Sequence, residues 1–309
     1  MKNSMAIAIL VALQLSFCGS SEPVQMRMAL KSGDQYVQTV TTKQKMEQDL
    51  MGQKRVQEST TAITYSSKCE KVDPDGTMYV QLTYDRIAVE KNSPQGKAKY
   101  DSDKDKSPTD PEFLAYAQMV GHGFTVKFSP LAQVKDLIGI EEFMERVYSS
   151  MNIPDDEMGR EIKKMLKEQF GAETMRRMLE ASYIPFPEKK MGIGDTWEKT
   201  IDLAGAGFPL KVDNKYEVKD LGSSATLFVE GKISSSKDKP LKLMGMEIQY
   251  DLSGEQSGTQ EVELDRGIIS KSEVKQKMEG SMKIVKGPGI PEPMEVPLKM
   301  ETTVTIETH

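Results

Sequence analysis

Apolar and polar residues alternate along much of this chain, and the alternation gives way to a longer period in the middle. Met78, Val80, Leu82 and Tyr84 fall on one face and Gln81, Thr83 and Asp85 on the other, the period of two of a β-strand. Toward the C-terminus, Val274, Gln276, Met278, Gly280, Met282 and Ile284 oppose Lys275, Lys277, Glu279 and Lys283. The run from Met294 to Ile306 repeats the pattern. Further strands are predicted at 124–128, 211–218, 225–233, 243–252 and 258–264. One apolar face per strand predicts a sheet with one face buried. Val72-Asp73-Pro74-Asp75-Gly76 and Asn92-Ser93-Pro94-Gln95-Gly96 are turns, with Pro presetting φ and Gly supplying its positive value. Connections this short make the sheet antiparallel.

Between residues 111 and 183 the spacing becomes helical. Pro111 opens a helix over 112–120, since proline suits the first helical position. Phe143, Met144, Val147 and Met151 stripe a second helix over 140–151. Met158, Ile162, Met165, Leu166 and Phe170 stripe a third, with Gly171 as its natural end. Met175, Met178 and Leu179 mark a fourth over 172–183. Such stripes cover one face of a sheet or form a lid over a hydrophobic cavity.

Lys43-Gln44-Lys45-Met46-Glu47 recurs letter for letter as Lys275-Gln276-Lys277-Met278-Glu279. A strand-like run follows each copy, at 59–64 and at 301–306. The repeat predicts a hairpin that opens the domain and a related hairpin that closes it.

Length and composition narrow the class. The 309 residues suit one large domain or two small ones. The apolar fraction of 38% is low, but its periodicity belongs to a folded domain. The net charge of −6 comes from interspersed acids and bases, with no basic stripe to neutralise phosphates, so nucleic acid is excluded as a partner. The 21 methionines raise the question of Cu(I), which thioethers suit. No Cys or His clusters beside them, which favours flexible filler or a wall that adapts to apolar ligands.

The first residues read as an address. Lys2 precedes an apolar run from Met5 to Leu13, shorter than the roughly 20 residues that span a bilayer, so 1–17 is a signal peptide. Leu15, Ser16 and Cys18 then fit the lipobox of bacterial lipoproteins, whereas Phe17 departs from it. Cys18 is the lipidation candidate, and 18–30 a lipid tether and linker. The alternative is cleavage near Ser20 to give a soluble exported protein. Cys69 is left unpaired and reads as a buried, inert thiol.

Candidate chemistry is sparse. Asp101, Asp103, Asp105, Ser107, Thr109 and Glu112 have the spacing of a twelve-residue calcium loop, but Lys106 stands where glycine is needed and Lys104 adds further positive charge. A solvated loop is the default. His122 lies between glycines, as linker residues do. No nucleophile elbow, catalytic triad, zinc spacing, P-loop or dinucleotide fingerprint occurs, so neither a cofactor, a metal nor an enzyme is expected. Carboxylates paired in space, as in glycoside hydrolysis, are the remaining catalytic alternative.

The chain resembles a domain-of-unknown-function family of bacterial lipoproteins and exported proteins, roughly 300 residues long, a length that holds one large domain. The resemblance rests on Leu30-Lys31-Ser32-Gly33-Asp34-Gln35-Tyr36, Met51-Gly52-Gln53 and Thr83-Tyr84-Asp85-Arg86-Ile87. It continues through 96–102, Gly194-Asp195-Thr196-Trp197 and the closing Thr/Met-rich strand. It implies export, to the periplasm or the outer membrane, and supplies no functional residues.

The expected fold is α+β: a large curved antiparallel sheet, half-open and barrel-like, with a helical insertion packed on one face. A single domain spans 31–309, with β-meanders over 31–105 and 194–309 around a mostly helical insertion over 111–183. The expected role is a non-enzymatic envelope lipoprotein that holds an apolar ligand or lipid, with Met278, Met282, Met300, Met165 and Phe170 as candidate lining. The alternative is a structural protein that meets a protein partner.

Overall fold

The structure is a computed structural model. It describes residues 22–309 apart from 51, 150, 152, 158, 161–170, 204–209, 236–239, 244–245 and 288–291. The N-terminal strands are β1 (Gln35–Leu50), β2 (Gln53–Val72), β3 (Met78–Ser93) and β4 (Gly96–Asp101). Then follow α1 (Pro111–Met119), β5 (Gly123–Phe128), β6 (Val134–Ile138), α2 (Ile140–Ser149) and α3 (Ala172–Ser182). The C-terminal strands are β7 (Thr196–Asp202), β8 (Leu210–Leu221), β9 (Ser224–Ser235), β10 (Leu241–Leu243), β11 (Met246–Glu263), β12 (Ile268–Lys286) and β13 (Met294–Thr308).

All of the strands join one sheet, in the order β6-β5-β3-β2-β1-β13-β12-β11-β9-β8-β7, with β4 beside β3 and β10 beside β11. Every pairing is antiparallel, and the edges β6 and β7 do not pair with each other, so the sheet is open. The two meanders meet where β1 pairs with β13, from Gln38 opposite Thr308 to Gln48 opposite Leu298. The expected opening and closing hairpins are β1–β2 and β12–β13. Their repeated pentapeptides flank β13 in one register. Lys43, Thr303 and Lys275 form one cross-strand row, and Met46, Met300 and Met278 another.

Long strands stay in one sheet because their buried and exposed positions alternate. On β8 Val212, Asn214, Tyr216 and Val218 are buried between exposed or half-buried neighbours. The main core lies between this face and the helices, with Ile140, Phe143 and Val147 of α2 packed against Phe124 and Leu82. A smaller cluster of Ile87, Val89, Tyr100 and Phe113 lies beneath α1.

The structure differs from the sequence reading at four places. The runs at 243–252 and 258–264 are one strand of 18 residues. Gly254 and Gly258 do not turn it; a Cβ there would stand 2.2 Å from Lys277 O and 2.1 Å from Glu273 O, so they admit a close approach of β12. The insertion is less helical than expected, because β5 and β6 extend the sheet at its edge. Gly171 precedes α3 in an extended conformation, and so caps a helix start. The stripe from Met158 to Phe170 falls mostly outside the described residues.

The fourth difference concerns the segment read as a tether. From Val24 it is a packed strap. Val24 bridges to Met191, Met28 N–H donates to Pro130 O, and Ala29 N–H to Arg266 O. Met26, Met28 and Leu30 are buried. Alternate apolar side chains bind the strap to the core, and its backbone hydrogen bonds link three distant parts of the chain.

Candidate functional site

Between the sheet and α3 lies a cavity of about 490 Å3. Its floor is the concave face of the central strands, where Val40, Ile63, Val274, Val304 and Ile306 are exposed to it. Met175, Met178 and Leu179 of α3 form the roof, and Tyr183 and Phe186 continue it. Ile201, Val212 and Tyr216 close the side nearest β7. Beside that wall, Trp197 stacks on Tyr216 at 5.0 Å and donates from Nε1 to Pro185 O at 2.9 Å. This bond ties the chain leaving α3 to the edge of the sheet.

Among the described residues, none that lines the cavity carries a charge. The polar groups are amides and hydroxyls. Tyr65 OH donates to Gln38 Oε1 at 2.9 Å, and Gln38 Nε2 donates to Ile269 O at 3.1 Å. Burial pushes the Tyr84 hydroxyl up to about 12, and those of Tyr36, Tyr65 and Tyr183 upward as well. These four phenols therefore stay neutral donors and acceptors at physiological pH.

A row of polar residues marks one boundary of the cavity. Asn214, Gly231, Gln256, Gln276, Thr302, Gln44 and Ser59 are cross-strand partners in succession from β8 to β2. Gln276 Nε2 donates to Gln256 Oε1 at 2.8 Å, and Gln256 Nε2 donates to Asn214 Oδ1 at 2.7 Å. The second bond passes over β9, and only glycine at 231 allows it. A Cβ there would lie 2.2 Å from Asn214 Oδ1 and 3.0 Å from Gln256 Cγ. Rows on both sides are apolar. Val229, Val274 and Val304 lie on the cavity side, while Met278, Met300 and Met46 lie on the other.

The lining predicted from sequence is placed as follows. Met278 and Met300 share the concave face with Val274 but stand beyond the amide row, outside the cavity. Met282 lies farther along the same face, opposite Val296. Met165, Phe170 and the lipidation candidate Cys18 lie outside the described residues. Met175, Met178 and Leu179 were read as part of a sheet cover or cavity lid but not named as lining, and the lining contributed by β7 and by the tyrosines was not recognised from the sequence. The amide row was visible there as Gln276 on an otherwise apolar face, but its partners come from strands far apart in the chain.

The other candidates have structural roles. Arg86 forks Asp101 through Nε at 3.1 Å and Nη2 at 2.9 Å, and Lys104 adds a contact at 3.2 Å. The guanidinium holds the Asp101 carboxyl well below the usual carboxylate range. The first ligand of the calcium spacing is thus committed to cations of the protein. No group of three or more His, Cys, Asp or Glu suited to a metal occurs among the described residues. Cys69 is fully buried, and burial pushes its thiol up. No described helix is long and apolar enough to cross a membrane.

Residues 75–269, more than half of the chain, match a family of unknown function, DUF6263. The chain belongs to this family. No curated protein matches. Among solved structures, one described as lipid–protein interactions in lipovitellin aligns with a TM-score of 0.51 at 8% identity. The alignment covers 90% of this chain and 25% of that one, so the chain spans about a quarter of its length. At this identity the likeness is one of fold alone. An outer membrane channel from Pseudomonas putida F1 aligns over 94% of this chain and 100% of that one, at 10% identity and a TM-score of 0.24. OprD of Pseudomonas aeruginosa aligns over 94% and 99%, at 6% identity and a TM-score of 0.22.

Proposed function

We propose that the protein is a non-enzymatic carrier or receptor of the bacterial envelope, and that it holds an apolar ligand or lipid between α3 and the concave face of the sheet. The carrying observation is the cavity of about 490 Å3, within the size range of small-molecule sites and without a charged side chain among its described lining residues. Apolar surface removed from water supplies the affinity, and it is non-directional, so the same cavity suits chains of varied shape. Met175 and Met178 give the roof an adaptable surface. The likeness in fold to lipovitellin, a protein described in terms of its lipid–protein interactions, agrees with this use. A signal peptide would export the chain and an acylated Cys18 would hold the carrier at the membrane; the alternative is a soluble periplasmic form.

Native mass spectrometry of protein from its own cell envelope, released in mild detergent, tests the reading. The expected spectrum has a dissociable adduct of lipid size, and Leu179→Trp, which fills the cavity from its roof, loses it. Wild-type protein free of any adduct, and unable to take up an apolar probe afterwards, overturns the proposal and turns attention to a protein partner.

A further inference from the structure

The amide row says what kind of head the ligand carries. A cavity needs no amide row to hold a hydrocarbon, and amides that are buried, as Asn214 is, or half-buried, as Gln256 and Gln276 are, cost free energy unless they find partners. Here Asn214, Gln256 and Gln276 satisfy one another in a chain of 2.7 and 2.8 Å bonds, and all three line the cavity. Each side-chain amide carries two N–H donors and a carbonyl acceptor, more than a chain of single bonds uses. The arrangement depends on a missing side chain at Gly231, since any Cβ would collide with Asn214 Oδ1.

The row also lacks something. Among the described residues no Lys, Arg, His, Asp or Glu lines the cavity. Lys275 and Lys277, which flank Gln276 on β12, are exposed on the opposite face. An ionised head brought to the row would lose its water and gain no counter-ion, a costly exchange. Neutral carbonyl, ester or hydroxyl groups suit amides as donors and acceptors at once.

We infer that the cavity selects an uncharged amphiphile, a hydrocarbon chain bearing a neutral hydroxyl or ester head such as a monoacylglycerol, with the head on Asn214, Gln256 and Gln276 and the chain over Val274, Val304 and Ile306. The inference rests on the ligand-binding reading above and names the ligand class for that site. An ionised fatty acid or a phosphate head placed inside the cavity is disfavoured.

Trp197, the one tryptophan of the chain, stacks on the lining residue Tyr216 and reports binding by its fluorescence. Delipidated full-length protein is titrated with monooleoylglycerol and with oleate at about pH 8, where a free carboxyl is ionised. Monooleoylglycerol is expected to bind about tenfold or more tightly than oleate, the effect of a modest charge-burial penalty. Gln276→Leu is expected to lower monooleoylglycerol affinity by about two- to tenfold, the worth of one hydrogen bond, and to change oleate affinity less. Equal affinities in the wild-type protein, or tighter oleate, overturn this inference and leave the carrier reading intact. A protein that binds neither probe overturns both. A circular dichroism melt of the Leu variant separates lost binding from lost folding, and the wild-type comparison stands without it.

Discussion

On β12, Val274, Gln276 and Met278 lie on the concave side, whereas Lys275, Lys277 and Glu279 are exposed on the convex side. The same strands therefore build two surfaces with different rules. On the concave side of the central strands the rows are uncharged and differ from one another in kind, with Val274 and Val304 in one, Gln256 and Gln276 in the next, and Met278, Met300 and Met46 in the third. On the convex side the rows alternate in sign. Lys45, Glu301 and Lys277 stand opposite one another, and Glu47, Lys299 and Glu279 form the next row but one. The contrast follows from dielectric surroundings. Charges in water tolerate many arrangements, since exposed pairs are worth only about 0–1 kcal/mol. Buried positions tolerate few, because volume and hydrogen bonding must both close.

The largest break in the comparison comes from the core beneath the concave side. Leu227 on β9 is fully buried in the main cluster. Leu227→Ala should cost about 2–5 kcal/mol, the usual range for such a truncation, seen as a lower urea midpoint. Gly231→Ala, two periods of the alternation farther along the same strand, should cost about 1–3 kcal/mol, the range for overpacking. Its mechanism is different, since it adds one methyl group and parts the Asn214–Gln256 bond. A Gly231→Ala protein as stable as wild type in urea would mean that the amide row is not closed over β9.

These differences explain what could be read in the sequence. Strand alternation in 78–85 and 274–284, the turns at Gly76 and Gly96, and the helices at 112–120, 140–151 and 172–183 are local patterns, and all were legible. The repeat also announced two hairpins. Their placement on either side of β13 was not legible, because β1 and β13 lie at opposite ends of the chain and a strand's neighbours leave no local mark. The runs at 243–252 and 258–264 were read as two strands because the stretch between them, Ser253 to Ser257, is polar and holds a glycine, and glycine marks turns and close approaches alike. The strap at 24–30 looked like a tether because its polar residues alternate with Met26, Met28 and Leu30 over too short a stretch to stand out. The site suffered most. Asn214, Gln256 and Gln276 come from three strands, and nothing in their separate segments brings them together.

The smallest effect lies on the convex side, where the repeat itself can be tested. The two copies present the same charges to β13, and β13 answers with the opposite sign, Glu301 between Lys45 and Lys277 and Lys299 between Glu47 and Glu279. Lys299 Nζ lies 3.7 Å from Glu279 Oε2, and both side chains are exposed. A repeat flanking a complementary strand fixes register, because a slip of two residues would set lysine opposite lysine. Glu301→Lys places three lysines in one row. Like charges directly opposite destabilise by roughly 0.2–1 kcal/mol per pair, so the urea midpoint should fall slightly. The loss should shrink with added salt, since exposed charges beyond about 10 Å are screened at 0.1 M and nearer ones at higher salt. Glu301→Gln should fall between the two. A salt-independent loss would place the residue's role in packing, and would assign the register to the buried rows alone.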